Sequence, residues 1–259
     1  MTLASGETYS ELEKLTGPFR QSYAKRNGWE YLVPELDCSP SKVSGDGKQR
    51  YIDKLFLPQL YLDYDLIAFM DCDSLVNPKA PCLSEYYHLI PKGGFAAGQT
   101  ISFDERKHFA GWAEDYYKPY EKHCIEQPIK DRKTHINAGL LLFRPAEVAE
   151  RWQALAAIDL PITSENRLNI YELQNGKCHL LPREWHILWQ YYRDINYPIL
   201  GRLAKVGRGV DKLFGYKLNF AIEREKFIEA FSRANFIHVA FEHQKLHWFL
   251  KGLSPRDFE

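Results

Sequence analysis

The chain has 259 residues, 45% of them hydrophobic, which is enough for a sizeable core in one domain or one domain with an extension. Its 34 Lys+Arg balance 34 Asp+Glu, and a net charge of zero argues against a general nucleic-acid binder, which carries a basic surplus. The five cysteines, Cys38, Cys72, Cys82, Cys124 and Cys178, are odd in number and form no C-x-x-C pair; this excludes a zinc framework and a disulfide scaffold and fits free thiols in a reducing cytoplasm.

No basic leader with an apolar core opens the chain, and no run of about 18 apolar residues occurs. Neither a signal peptide nor a membrane span is expected. Met1–Ser5 reads as a first strand. Residues 7–27 place Tyr9, Leu12, Leu15, Phe19 and Tyr23 at helical spacing, with Gly17-Pro18 marking a division into two helices and Asn27-Gly28 a stop. Glu30–Pro34 reads as a second strand and residues 39–48 as a loop. A helix is predicted from about Arg50 to Tyr61, with Ile52, Leu55, Phe56 and Leu60 on one side, before a strand ending at Asp71. This alternation predicts an α/β fold with a parallel sheet and covering helices.

Further on, Gly94–Gly98 reads as a strand and residues 105–133 as helices and loops. Ile136–Phe143 is a strand that begins with a polar Asn and a Gly, and Glu147–Ala157 is a helix. A helix over 165–174 ends at Asn175-Gly176, a short strand spans 178–181, and Phe236–Phe241 is the last strand. The ring-dense segment Trp185–Tyr192 is either a stacking platform for an acceptor sugar or a packed helix. Arg202, Lys205, Arg208, Lys212 and Lys217 read as a solvated amphipathic face, with contact to an anionic membrane surface or a charged acceptor as the alternative.

Chemistry concentrates in a few places. Asp71-Cys72-Asp73 follows the apolar run Leu66–Met70. Hard cations such as Mg²⁺ and Mn²⁺ prefer carboxylate and phosphate oxygens, and the carboxyl end of a strand in an open α/β sheet is where ligands bind. In a flat strand the two carboxylates point to opposite faces, so a shared site needs the strand to end there, with Asn77-Pro78 as the turn signal. The plain alternative is a turn or helix cap. His135-Ile136-Asn137-Ala138-Gly139 lets the backbone approach a ligand or merely starts a bulged strand. His238 completes a mixed N/O metal site or is a satisfied core residue, and Lys245 is a point charge for phosphate. Tyr9 stacks on a nucleobase or packs as a core ring. Neither G-x-G-x-x-G nor a P-loop occurs, which excludes the Rossmann dehydrogenases and the P-loop NTPases.

Four of these segments resemble, in order, the GT-A glycosyltransferases, especially the glycogenin-like and bacterial lipopolysaccharide galactosyltransferase-like group. Thr2-Leu3-Ala4-Ser5-Gly6-Glu7-Thr8-Tyr9 matches the opening T-L-x-[ST]-x-x-x-Y, Lys54 precedes the central strand, Asp71-Cys72-Asp73 is the D-x-D, and Asn137-Ala138-Gly139 is the N-[SA]-G. The late H-x-x-G-x-x-K-P-W is met only by His238 and Lys245, with Phe241 where Gly is expected and one extra residue of spacing. The D-Q-x-x-[LI]-N helix appears as Ser164-Glu165-Asn166-Arg167-Leu168-Asn169, so its Asp is lost and Gln becomes Glu165.

The resemblance implies a single GT-A (nucleotide-diphospho-sugar transferase) domain over 1–259, a mixed, mostly parallel sheet flanked by helices. Its nucleotide-binding half is about 1–100 and its donor-sugar and acceptor half about 101–259. It implies a cytoplasmic hexosyltransferase of polysaccharide biosynthesis, with a UDP-sugar donor, a glycan or glycoconjugate acceptor, and Mn²⁺ or Mg²⁺. Asp71, Asp73 and His238 would hold the metal. Thr2, Leu3, Ala4, Ser5, Tyr9, Lys54, Cys72, Asn137, Ala138, Gly139 and Lys245 would bind the nucleotide and donor sugar. Glu165 is the expected base of an inverting transfer, with Glu172 and Glu184 behind it. A nucleotidyltransferase and a non-catalytic sugar-nucleotide binding domain are the alternatives.

Overall fold

A computed structural model describes residues 1–4, 7–34, 53–100, 134–158, 164–200, 217–240 and 243–258. Ser5, the expected loop 39–48, the helix start at 50–52, the segment 105–133 and most of the basic stretch, from 202 to 216, lie outside them. The chain forms two compact units, neither of them a continuous half of the sequence.

The first unit comprises Met1–Glu35, Met70–Cys82 and Arg183–Glu259. The opening segments are not strand ladders. Single bonds tie them instead: Thr2 N–H to the Leu32 carbonyl at 3.0 Å and Met70 N–H to the Met1 carbonyl at 2.9 Å. Helix α1 (Glu7–Arg26) runs unbroken through Pro18, where the sequence predicts a division. Its face Leu12, Thr16, Phe19 and Tyr23 is buried. Burying Phe19 and Tyr23 contributes about 1.5–3 kcal/mol each, which offsets the ~3 kcal/mol cost of an interior proline. The helix stops as expected at Asn27-Gly28, where φ of Gly28 is +69°.

Strands β2 (Ser74–Val76), β6 (Ile187–Leu188) and β7 (Phe236–His238) form a sheet in the order β2-β7-β6. The first pair is antiparallel and the second parallel. Helices α5 (Trp189–Asn196), α6 (Lys217–Arg233) and α7 (Leu246–Phe249) complete this unit. Its core gathers Leu12, Phe19, Leu75, Trp189, Phe227 and Phe249, with the Phe227 and Phe249 rings stacked at 4.3 Å. Trp185 and Trp189 are fully buried. The ring-dense segment is therefore packed core at these two positions, not a stacking platform, because a flat indole buried on both faces has none left for a sugar.

The second unit comprises Leu36–Phe69 and Leu83–Pro182. Its sheet joins β1 (Ile67–Met70), β4 (Ile136–Phe143), β3 (Phe95–Gln99) and β5 (Cys178–Leu181) in that order. β3 pairs antiparallel with β4 and parallel with β5, so both sheets are mixed. All eight residues of β4 are buried, which accounts for the apolar run Leu140–Phe143 that follows Asn137-Ala138-Gly139. Helix α3 (Pro145–Ala156) sets Trp152 at 5.5 Å from Phe95 and 4.8 Å from Phe143. The predicted helix 50–61 is, within the described residues, a 3₁₀ turn Asp53–Phe56 followed by α2 (Leu57–Leu60). The segment predicted as a helix over 165–174 is α4 (Ser164–Arg167), a π-turn Leu168–Glu172 and a 3₁₀ turn Leu173–Asn175. No helix among the described residues is long and apolar enough to cross a membrane.

Candidate functional site

In the first unit the chain leaves Met70 and turns at once. Ser74 N–H donates to the Asp71 carbonyl at 3.1 Å, closing a four-residue turn. The turn that gathers the carboxylates therefore falls on the D-x-D itself. A second turn follows β2 at Asn77-Pro78, as expected, where the Ala80 N–H donates to the Asn77 carbonyl at 2.9 Å and the Asn77 amide donates to the Phe231 carbonyl at 3.0 Å. After the turn, β2 aligns Ser74 opposite His238. That register carries the imidazole to the carboxylates: His238 Nε2 lies 3.0 Å from Asp73 Oδ1 and 3.8 Å from Asp71 Oδ2.

One ligand atom from each of the three lies within 4.8 Å of the others. Octahedral Mg²⁺ sits about 2.0–2.1 Å from its ligands, so neighbouring ligands are about 2.9 Å apart and opposite ones about 4.1 Å. The two separations from His238, 3.0 and 3.8 Å, lie between these values, and an Asp₂His set suits a hard or borderline divalent cation. These residues fit a divalent cation. The His238 side chain is 5% exposed and the carboxylates 21% and 16%, so the cluster is open on the acidic side.

Cys72, between the two Asp, turns inward and belongs to the core. Burial, with Asp73 and Asp71 close by, pushes its thiol pKa up. Sequence reasoning missed two residues of α1 beneath this turn, Thr16 and Arg20. Both are buried polar residues on an otherwise apolar helix face; that conflict with the helical pattern was the available signal. Arg20 donates to the Asp71 and Ser74 carbonyls, at 3.3 and 2.7 Å, and Thr16 to the Cys72 carbonyl at 2.7 Å.

The other expected donor residues described in this unit are all at least partly buried. Thr2 is fully buried, Leu3 and Ala4 are partly buried, and Tyr9 is a partly buried ring packed on the core of the unit. Lys245 Nζ lies 3.1 Å from both Glu223 carboxylate oxygens, and Arg193 approaches the same carboxylate at 2.8 Å.

In the second unit the start of β4 gathers Lys54, Asn137, Ala138, Gly139 and Glu165. A bulge between Ala97 and Gly98 sets Gly98 opposite Asn137. Asn137 Oδ1 accepts the Gly139 N–H at 2.7 Å, a local turn of the Asx kind. Lys54 Nζ donates to the Ala138 carbonyl at 3.2 Å and lies 5.2 Å from the Phe69 ring centre. From α4, Glu165 Oε2 accepts the Ala138 N–H at 3.1 Å, and its other oxygen is 4.0 Å from His135 Nδ1. One helical turn on, Asn169 Oδ1 accepts the Ile136 N–H at 2.9 Å. Two side chains thus bind alternate β4 amides as a neighbouring strand would. Of the other carboxylates considered, Glu172 is 1% exposed and paired on both oxygens with Arg151, and Glu184 is exposed.

No protein-family model matches the chain, and no curated protein sequence is similar to it at a significant level. Solved structures do match. A glycosyltransferase involved in the glycosylation of the major capsid of PBCV-1 aligns over 96% of both chains with a TM-score of 0.56 at 10% identity. The galactosyltransferase LgtC, solved with donor and acceptor sugar analogues, aligns over 97% of this chain and 95% of its own with a TM-score of 0.50 at 11% identity. The bifunctional glycosyltransferase WbbM aligns with 78% of this chain at 18% identity and a TM-score of 0.45, and this chain spans 35% of its length. The chain shares the fold of these glycosyltransferases, the GT-A fold that the motif order implied.

Proposed function

We propose that this protein is a divalent-cation-dependent glycosyltransferase that moves a sugar from a nucleoside-diphosphate sugar, of the UDP class, to a saccharide or glycoconjugate acceptor. The observation that carries the reading is the Asp71/Asp73/His238 cluster at the end of a strand in a GT-A fold. Asp71, Asp73 and His238 hold the cation, which when bound supplies Lewis-acid stabilisation of the leaving diphosphate. Tyr9 stacks on the base, with Thr2, Leu3, Ala4 and Ser5 lining its pocket and the backbone at Cys72 beside them. Lys245 meets the diphosphate, and Lys54, Asn137, Ala138 and Gly139 orient the donor sugar. The odd cysteine count, with no C-x-x-C pair, supports a cytoplasmic setting.

Glu165 takes the proton of the acceptor hydroxyl in an inverting transfer. Its hydrogen bond to the Ala138 N–H favours a second role, shaping the Asn137–Gly139 backbone. Glu165→Gln separates the two. It keeps an oxygen for the Ala138 amide and loses the base, so transfer falls by about a hundredfold or more while donor binding is retained. Near-normal transfer by this variant leaves the backbone role alone.

The reading as a whole is tested by thermal unfolding with a panel of sugar nucleotides, with and without Mn²⁺. A true donor at a hundred times its dissociation constant stabilises the fold by about 2.7 kcal/mol. That stabilisation is expected only with the cation present, together with release of nucleoside diphosphate. Release of pyrophosphate or a monophosphate identifies a nucleotidyltransferase instead, and donor binding without turnover a binding domain.

A further inference from the structure

The backbone of the D-x-D turn is tied at every carbonyl. That of Asp71 accepts from the Ser74 N–H at 3.1 Å, from the Ser74 hydroxyl and from Arg20 Nη1 at 3.3 Å. That of Cys72 lies 2.7 Å from Thr16 Oγ1, whose single proton is shared with the Leu12 carbonyl at the same distance; that of Asp73 accepts from the Val239 N–H at 3.0 Å, and that of Ser74 from Arg20 Nη1 at 2.7 Å. Thr16 and Arg20 stand one helical turn apart on α1, so both face the turn, and Arg20 Nη2 donates to Thr16 Oγ1 at 2.9 Å. The guanidinium is itself matched: it pairs with Glu13, and its Nε donates to the Tyr31 hydroxyl at 3.2 Å, which in turn donates to Glu13. Gly17 makes room for this arrangement, since a side chain there would collide with the Glu13 carboxylate.

Two carboxylates brought to one side of a turn repel each other, and an unpinned backbone would let them separate toward the alternating directions of an extended chain. We propose that Arg20 and Thr16 are positioning residues that hold this turn closed, so that Asp71 and Asp73 already converge on His238 before a divalent cation arrives. The proposal rests on the metal reading given above. Its physical content is preorganisation: binding then costs little ordering of the ligands, and affinity rises by the cost removed. Because Glu13 balances Arg20, the clamp grips carbonyls without presenting an uncompensated positive charge to the cation.

The test is titration of the full chain with Mn²⁺ alone, read by the loss of the free-ion EPR signal. Partners that orient metal ligands typically change affinity about 10- to 100-fold when removed. Thr16→Val and Arg20→Lys are therefore expected to weaken Mn²⁺ binding about tenfold or more, while Thr16→Ser binds like the parent chain. A role in packing alone predicts the reverse order, because Val keeps the volume of Thr and Ser does not. Should Arg20→Lys fail to fold, the Thr16 pair decides. Equal Mn²⁺ affinity in Thr16→Val and Thr16→Ser overturns the clamp while leaving the metal site standing. If the parent chain and every variant bind no Mn²⁺, the metal reading fails and the clamp with it.

Discussion

Asp73→Ala is expected to abolish Mn²⁺ binding and to lower sugar transfer by about a thousandfold, the rate equivalent of the several kcal/mol a metal Lewis acid contributes. Asp73 holds its neighbours through its carbonyl, which accepts the Val239 N–H, and through Oδ1, which lies 3.0 Å from the buried His238 Nε2. The substitution loses that contact, at a cost of about 1–3 kcal/mol, and relieves the repulsion between two adjacent carboxylates in the cation-free protein. Its thermal midpoint without cation is therefore expected to fall by a few degrees while the chain stays folded. What disappears is the Mn²⁺-induced rise, which isothermal titration and thermal unfolding with added Mn²⁺ measure directly. A variant that still gains stability from Mn²⁺ would remove Asp73 from the ligand set.

The second large effect is on stability. Asn169→Leu conserves volume at a site only 1% exposed but strips a fully engaged amide. The parent side chain accepts the Ile136 N–H and donates to the carbonyls of Ile136 and Glu165, at 3.3 and 2.8 Å. Each buried backbone group left without a partner costs about 1–3 kcal/mol. A loss of about 3–5 kcal/mol in urea unfolding is expected, at the upper end for single substitutions. Hydrogen exchange localises it, because the Ile136 and Ala138 amides lose protection before the rest of β4. Unchanged exchange at these amides would show that the helical segment does not hold the strand.

Asn169 shows why part of the site was legible in the sequence only as a motif. The pattern Ser164–Asn169 matches a family segment, yet its residue types do not say which of them bind backbone and which face a substrate. Glu165 and Asn169 meet the β4 amides because the helical segment lies along β4, a fact of packing between residues 27 and 33 positions apart. Likewise Pro18 and the rings of Trp185 and Trp189 were open to more than one reading, because local propensity is weak beside the burial of a helix face or an indole.

The apolar runs of β1, β4 and β7, the Asn-Gly helix ends and the Asp71/Asp73 pair were all determined locally. Side-chain period, backbone permissiveness and ligand chemistry act over a few residues. The convergence of the cluster was not. The turn at Asp71–Ser74 and the pairing of Ser74 with His238 bring together side chains 165 residues apart, and only the tertiary structure decides that register. It also decides the buried grip of Arg20 and Thr16 on the turn, since a charged residue on a helix face reveals its partner only when that face is packed.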